Sequence, residues 1–176
     1  AFSDSAAFPA RSSERARSSA ANSSSSASAS STFGAGFGLI TGTTGSTTAT
    51  GDAEGETVRS CAVAFSRAEL VAALTRFVGP IVQTPPAFAA LKFQGRNYYE
   101  YARAGIDIPR VPRAIEIGAI ELIDWSAPLA VLRVACSKGT YLRVLAEDIA
   151  GALGCVAHLA ALRRTVSGPF ALAAAV

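Results

Sequence analysis

Between Cys136 and Thr140 the chain changes its hydrophobic period, and this change constrains the fold more than any other stretch. Leu129 to Cys136 is an apolar run of strand length. Ser137-Lys138-Gly139 form a tight polar junction. Beyond it, Leu142, Leu145, Ile149 and Leu153 recur at helical spacing and make one apolar stripe. Thr140 is expected to cap this helix, because its hydroxyl oxygen can accept an orphan amide of the first turn. Gly154 is a suitable stop. A second short helix is expected from about Val156 to Arg163. The block thus reads strand, turn, helix, short helix, with Lys138 and Arg163-Arg164 as cations near its two ends. Arg143 falls on the first turn of the long helix, where the dipole disfavours positive charge. A residue set against that preference often has a carboxylate partner, and a solvent-exposed arginine is the alternative.

Upstream, Ser66 and Glu69 have the spacing of a capping box, and Leu70, Ala73, Leu74 and Phe77 give the helix after them an apolar face. Gly79-Pro80 ends that helix. Gln83 to Arg113 reads as a basic, aromatic insertion behind a rigid Pro85-Pro86. Tyr98, Tyr99, Tyr101 and Arg103 fall on a short helix within it. Rings and cations together can stack bases and hold phosphates. Tyr98 and Tyr101 have equal standing as core residues at helical spacing. Lys92 is harder to bury and is assigned to solvent or RNA. Ala114 to Ile123 alternates imperfectly as a strand, turns at Trp125-Ser126-Ala127-Pro128, and pairs with Leu129 to Cys136, antiparallel.

The first 32 residues are different in kind. Thirteen are Ser and nine are Ala, and no charge occurs from Ser18 to Gly51. A tract this poor in large apolar residues cannot bury enough surface to offset chain entropy. Residues 1–40 are therefore expected to be disordered and 41–176 to hold the fold. At 176 residues, one domain is the expectation.

The formal charge of +3 is uneven. Residues 91–176 carry ten Lys/Arg against seven Asp/Glu, while residues 1–90 carry six of each. The excess suits a polyanionic partner without requiring one. Cys61, Cys136 and Cys155 are odd in number and widely spaced, which argues against a disulfide framework. His158, the single histidine, cannot build a zinc site with them at any usual spacing and is read as structural. No apolar run is long enough for a membrane span, and no signal peptide is recognisable, so a cytoplasmic protein is expected.

Cys136-Ser137-Lys138-Gly139-Thr140-Tyr141-Leu142-Arg143 resembles a signature of the bacterial tRNA pseudouridine-55 synthases. The resemblance extends to Pro85 through Gly95, to Tyr98 through Gly105 and to Leu162-Arg163-Arg164. It begins at Thr47-Thr48-Ala49-Thr50-Gly51-Asp52-Ala53-Glu54-Gly55, similar to the family's T-x-T-G-D-x-E-G loop. The resemblance implies an α+β fold with a mixed, largely antiparallel sheet and packed helices, truncated at both ends. It implies isomerisation of one uridine in the T-arm of tRNA, by a monomer with no cofactor and no metal. The target nucleotide must be flipped, because a stacked one is inaccessible to a buried carboxylate.

By resemblance, Tyr141 lines the uracil pocket, Leu162 packs against the base, and Arg143 orients the nucleophilic aspartate. Lys92, Tyr98, Tyr101, Arg103, Lys138, Arg163 and Arg164 are the candidate RNA contacts. The G-H-x-G-x-L-D-P motif that carries the family's aspartate does not occur in this sequence. Where it belongs stands Ala7-Phe8-Pro9-Ala10-Arg11-Ser12-Ser13. GC-rich codons for Gly-His-Thr-Gly-Ala-Leu-Asp, read one base late, give a closely similar string. Residues 1–40 are thus read either as a disordered tail or as an out-of-frame stretch. Arg143 is then expected to stand without its carboxylate, and the chain to be inactive. The alternatives are a non-catalytic RNA-binding remnant and a frameshifted product with no stable fold.

Overall fold

The computed structural model describes residues 36–174. The expectations for the Ser/Ala tract and the missing aspartate motif lie outside them. The fold runs β1 (Gly36–Thr44), β2 (Ser46–Thr48), β3 (Thr57–Ser60), α1 (Arg67–Leu74), β4 (Gly79–Gln83), β5 (Lys92–Phe93), β6 (Arg96–Asn97), α2 (Tyr98–Arg103), β7 (Arg113–Ser126), β8 (Leu129–Cys136), α3 (Leu142–Ala152), β9 (Ala157–Ser167) and β10 (Phe170–Ala171). Six strands form the main sheet in the order β10-β9-β1-β8-β7-β4. Its neighbours pair antiparallel, and one isolated parallel bridge joins Asp52 to Leu159. This is the α+β architecture with a largely antiparallel sheet that the sequence implied.

Two expected pieces form. Ser66 and Glu69 make both halves of the capping box that starts α1. β7 and β8 form the expected antiparallel hairpin, pairing from Ile117 opposite Cys136 to Ser126 opposite Leu129 with register shifts after Ile117 and after Leu122. β7 takes in Trp125 and Ser126, two residues expected in the turn.

Two readings are corrected. The expected helix over Val156–Arg163 is the eleven-residue strand β9. Ala, Leu and Arg favour a helix locally, but β1 offers an unpaired edge whose backbone groups the strand satisfies along its length. Burial alternates at Ala157 and Leu159, a period that the small Ala160 and Ala161 conceal. β1 itself lies at the centre of the sheet, inside the Gly/Thr stretch and starting before residue 40. Its inward positions are Gly38, Ile40, Gly42 and Thr44, so only Ile40 announces a core strand.

α1 and α3 pack on the sheet. Leu70 and Leu74 from α1 and Leu145 and Ile149 from α3 meet Ile40, Ile117, Leu132 and Val134. Full burial of each such side chain is worth roughly 1.5–3 kcal/mol. The residues described therefore form one packed core.

The cysteine reading is also corrected. Cys61 and Cys155 are joined as a disulfide, with Cα atoms 6.2 Å apart. The Gly45 amide donates to the Val156 carbonyl and the Cys61 amide to the Gly45 carbonyl, both at 2.8 Å. These bonds bring the exit of the β2–β3 hairpin to the start of β9. A separation of 94 residues in sequence gives no hint of that meeting.

Candidate active site

The loop between β2 and β3 is built around Asp52. The Thr48 hydroxyl donates to the Asp52 carbonyl at 2.6 Å. The Thr50 hydroxyl donates to Asp52 Oδ1 at 2.6 Å, and the Glu54 amide reaches the same oxygen at 3.3 Å. Gly51 has φ +75°, a backbone conformation that favours glycine, and a Cβ there would also push the Glu147 carboxylate on α3 aside. The Leu159 amide donates to the Gly51 carbonyl at 2.9 Å and ties the loop to β9. Thr, Thr, Gly and Asp at this spacing are thus a self-braced turn.

Arg143 meets that turn from the first turn of α3. Its Nη1 donates to Asp52 Oδ2 at 2.9 Å and to the Thr50 carbonyl at 3.1 Å. Its Nη2 donates to the Phe88 carbonyl at 2.9 Å. Both side chains of the pair are mostly covered, at 25% and 31% exposure. Burial alone would push the Asp52 carboxyl up, but the Thr50 hydroxyl, the Glu54 amide and the Arg143 charge outweigh it and hold it below its ordinary value. Arg143 therefore has the carboxylate partner that its position against the helix dipole suggested. The expectation that it stands unpaired is wrong. The motif containing Asp52 was visible in the sequence, and the spatial pairing across 91 residues was not.

Thr140 does not cap α3. The N-cap is Tyr141, with no side-chain cap bond, and the Thr140 hydroxyl donates back to the Ser137 carbonyl at 2.9 Å. The turn is locked instead by Ser137, whose amide and hydroxyl oxygen pair with the Glu116 carbonyl and amide. Gly139 takes φ +89°, which explains a glycine there.

Beside this turn lies a cleft of about 480 Å³. Phe37, Lys138, Leu142, Leu162, Arg164 and Phe170 are among the residues around it. The cleft gathers Leu162, Lys138 and Arg164 from the candidate residues. Arg163 faces the other side of β9, beside Leu39. Lys92, Tyr101 and Arg103 stand on the insertion and are not among the residues lining the cleft. Lys92 and Arg103 are exposed. The Arg103 guanidinium lies 5.4 Å from the Tyr99 ring centre, and Arg96 is at the same distance from Tyr101. The Tyr101 hydroxyl donates to the Phe93 carbonyl at 3.1 Å. Tyr98 is a core residue with 7% exposure, so its ring is covered and has no face to offer a base. His158 bridges to the Ser46 carbonyl through Nδ1 at 3.0 Å, a structural position.

This sheet, with its helices, is the fold of the pseudouridine synthases. A crystal structure of a Cbf5-Nop10-Gar1 complex matches 78% of this chain and 32% of its own with a TM-score of 0.55 and 25% identity. An H/ACA RNP bound to a substrate RNA containing 2'-deoxyuridine matches with a TM-score of 0.50 and 21% identity, over 78% of this chain and 30% of its own, a likeness of fold alone. The model of the TruB family pseudouridylate synthase N-terminal domain matches residues 39–142, and that of the tRNA pseudouridylate synthase B C-terminal domain matches residues 143–176. The chain belongs to the TruB family of pseudouridylate synthases.

Among its relatives, tRNA pseudouridine synthase B of Chromobacterium violaceum is 54% identical over 123 residues, covering 70% of this chain and 40% of that protein. The Burkholderia mallei protein of that name is 53% identical over 127 residues, 72% of this chain and 42% of its own. The chain thus spans about two fifths of the length of these curated relatives.

Proposed function

We propose that this chain recognises the T-arm of tRNA around the cleft beside α3, and that it does not by itself isomerise uridine. Leu162 packs on the flipped base, and Tyr141, at the N-cap of α3 between the lining residues Thr140 and Leu142, serves the uracil as the family resemblance implies. Lys138 and Arg164 meet phosphates at the cleft, and the insertion adds Lys92, Tyr101 and Arg103; Arg163, on the other face of β9, is not among these contacts. The partner is tRNA in the cytoplasm, met by a monomer without metal or cofactor.

The observation that carries the inactive reading is the state of Asp52. Both of its carboxylate oxygens are engaged, one by Thr50 and Glu54 and the other by Arg143. A carboxylate held this way is a weaker nucleophile, and its partners would have to release it before it reached C1′ of a nucleotide. Asp52 is accordingly read as the brace that sets Arg143. The attacking carboxylate belongs to a G-H-x-G-x-L-D segment, which this sequence does not contain.

Filter binding of T-arm RNA at two salt concentrations tests recognition, because phosphate contacts release counterions and weaken with salt. Salt-sensitive binding without tritium release from 5-³H-uridine RNA is the expected outcome. Tritium release by the purified chain that disappears in Asp52→Ala would overturn the reading and make Asp52 the catalytic carboxylate.

A further inference from the structure

Gln83 ends β4 and is 2% exposed, the deepest uncharged polar side chain among the described residues. Its amide spans the backbone of one residue. Oε1 accepts from the Tyr141 amide at 3.0 Å, and Nε2 donates to the Tyr141 carbonyl at 3.3 Å. Tyr141 has extended backbone angles, φ −96° and ψ 102°, so the Gln83 side chain pairs with it as a neighbouring strand would. The Tyr141 carbonyl also accepts the Leu145 amide at 3.0 Å, the first hydrogen bond of α3. Five residues after Gln83, the Phe88 carbonyl is held by Arg143 Nη2. The Thr84-Pro85-Pro86 segment is thus fastened to the start of α3 at both of its ends.

We propose that Gln83 is a positioning residue for the uridine site: it fixes the peptide of Tyr141 and, through the first turn of α3, the guanidinium of Arg143. This rests on the tRNA reading above. The chemistry is selective. A primary amide offers a donor and an acceptor at one reach, which an apolar side chain of similar size does not, and an ionised carboxylate offers only acceptors. In Gln83→Leu, the Tyr141 amide loses its partner inside the fold. In Gln83→Glu, the ionised carboxylate still accepts the amide but repels the carbonyl. When protonated, it can restore both bonds.

The experiment compares native chain, Gln83→Leu and Gln83→Glu at pH 8 and pH 5.5. It reads T-arm RNA binding and amide exchange at Tyr141 and Leu145. At pH 8 both variants should bind about tenfold more weakly and exchange the Leu145 amide about tenfold faster, the scale of one buried hydrogen bond left unmade, while the Tyr141 amide should exchange faster only in Gln83→Leu. At pH 5.5, Gln83→Glu should return to within about twofold of native, while Gln83→Leu should not. Charged and titratable groups on the surrounding elements include Arg113 and Glu116 on β7, Cys136 at the end of β8, Lys138 in the turn, Tyr141, Arg143 with its Asp52, and Glu147 and Asp148 on α3, whose carboxyls burial pushes up. They are common to all three chains, so the ratio to native at each pH removes their effect. Native-like behaviour of Gln83→Leu, or a Gln83→Glu ratio that does not move with pH, would overturn the proposal. If the native chain binds no T-arm RNA, the tRNA reading falls, and the exchange ratios alone decide whether the clamp exists.

Discussion

Arg143 and Arg133 each hold a carboxylate within hydrogen-bond distance. Arg143 reaches Asp52 at 2.9 Å, and Arg133 reaches Glu121 at 2.7 Å across the β7–β8 hairpin. Their surroundings differ. The Arg133 pair is more than half exposed on both sides, and no further bond to either side chain is seen among the described residues. The Arg143 guanidinium adds the Thr50 and Phe88 carbonyls, and Asp52 adds Thr50 and Glu54. Distance alone would rank the two pairs the wrong way round. Coverage and the number of partners decide what an ion pair contributes, because water competes for exposed charge and long side chains lose entropy when fixed.

Arg143→Ala should give the largest effect. It removes three hydrogen bonds and leaves a partly covered carboxylate without its cation. The expected loss is about 2–3 kcal/mol, read as a fall in the urea midpoint with unchanged slope. Arg143→Lys should recover part of it, because a point charge can reach Asp52 but cannot also span the Phe88 carbonyl. A loss no larger than that of an exposed arginine would break the comparison.

Acid titration should separate the pairs next. The Asp52 carboxyl sits below its ordinary value in the folded chain, the net of burial pushing it up and of Thr50, Glu54 and Arg143 pulling it down. A group depressed on folding contributes stability that is fully present above its unfolded value of about 4 and is lost as pH falls through the folded value. Urea midpoints should therefore drop below about pH 4 in the native chain. Asp52→Asn should be less stable at neutral pH and show a shallower drop in acid. Parallel acid limbs for the two chains would show that Asp52 is not the linked group.

The same contrast explains what could be read from the sequence. α1 and the β7–β8 hairpin were legible because their signals are local: a capping box, an apolar stripe, a short turn. The strand β9 was not, since its Ala and Leu residues suit a helix until β1 supplies an edge. β1 was hidden because a central strand with Gly38 and Gly42 facing inward looks like a linker. At the site, the Thr-Gly-Asp loop and the Arg143 signature were each visible as motifs, and Leu162, Lys138 and Arg164 do share one cleft. The junction was missed because it joins segments 91 residues apart. Gln83 carried no signal at all: one polar residue before Pro-Pro does not reveal that it faces Tyr141.

Arg133→Ala should give the smallest effect, and it is the sharpest check on the comparison. Glu121 and Arg133 stand directly opposite each other in the β7–β8 register, so the geometry is as good as a cross-strand pair allows. If geometry set the energy, this pair would rival the Arg143 junction. Both side chains are more than half in water, where unit charges a few ångströms apart gain only about 1 kcal/mol before the entropy of holding them. The expected loss is about 0.5 kcal/mol at low salt, and it should vanish as salt is raised, since exposed charges are screened within about 10 Å at 0.1 M. The Arg143→Ala loss should persist under the same salt, because its partners are neutral carbonyls as well as a covered carboxylate. A salt-resistant loss above about 1.5 kcal/mol for Arg133→Ala would exceed what exposed pairs contribute, and the two arginines would then differ in partners but not in worth.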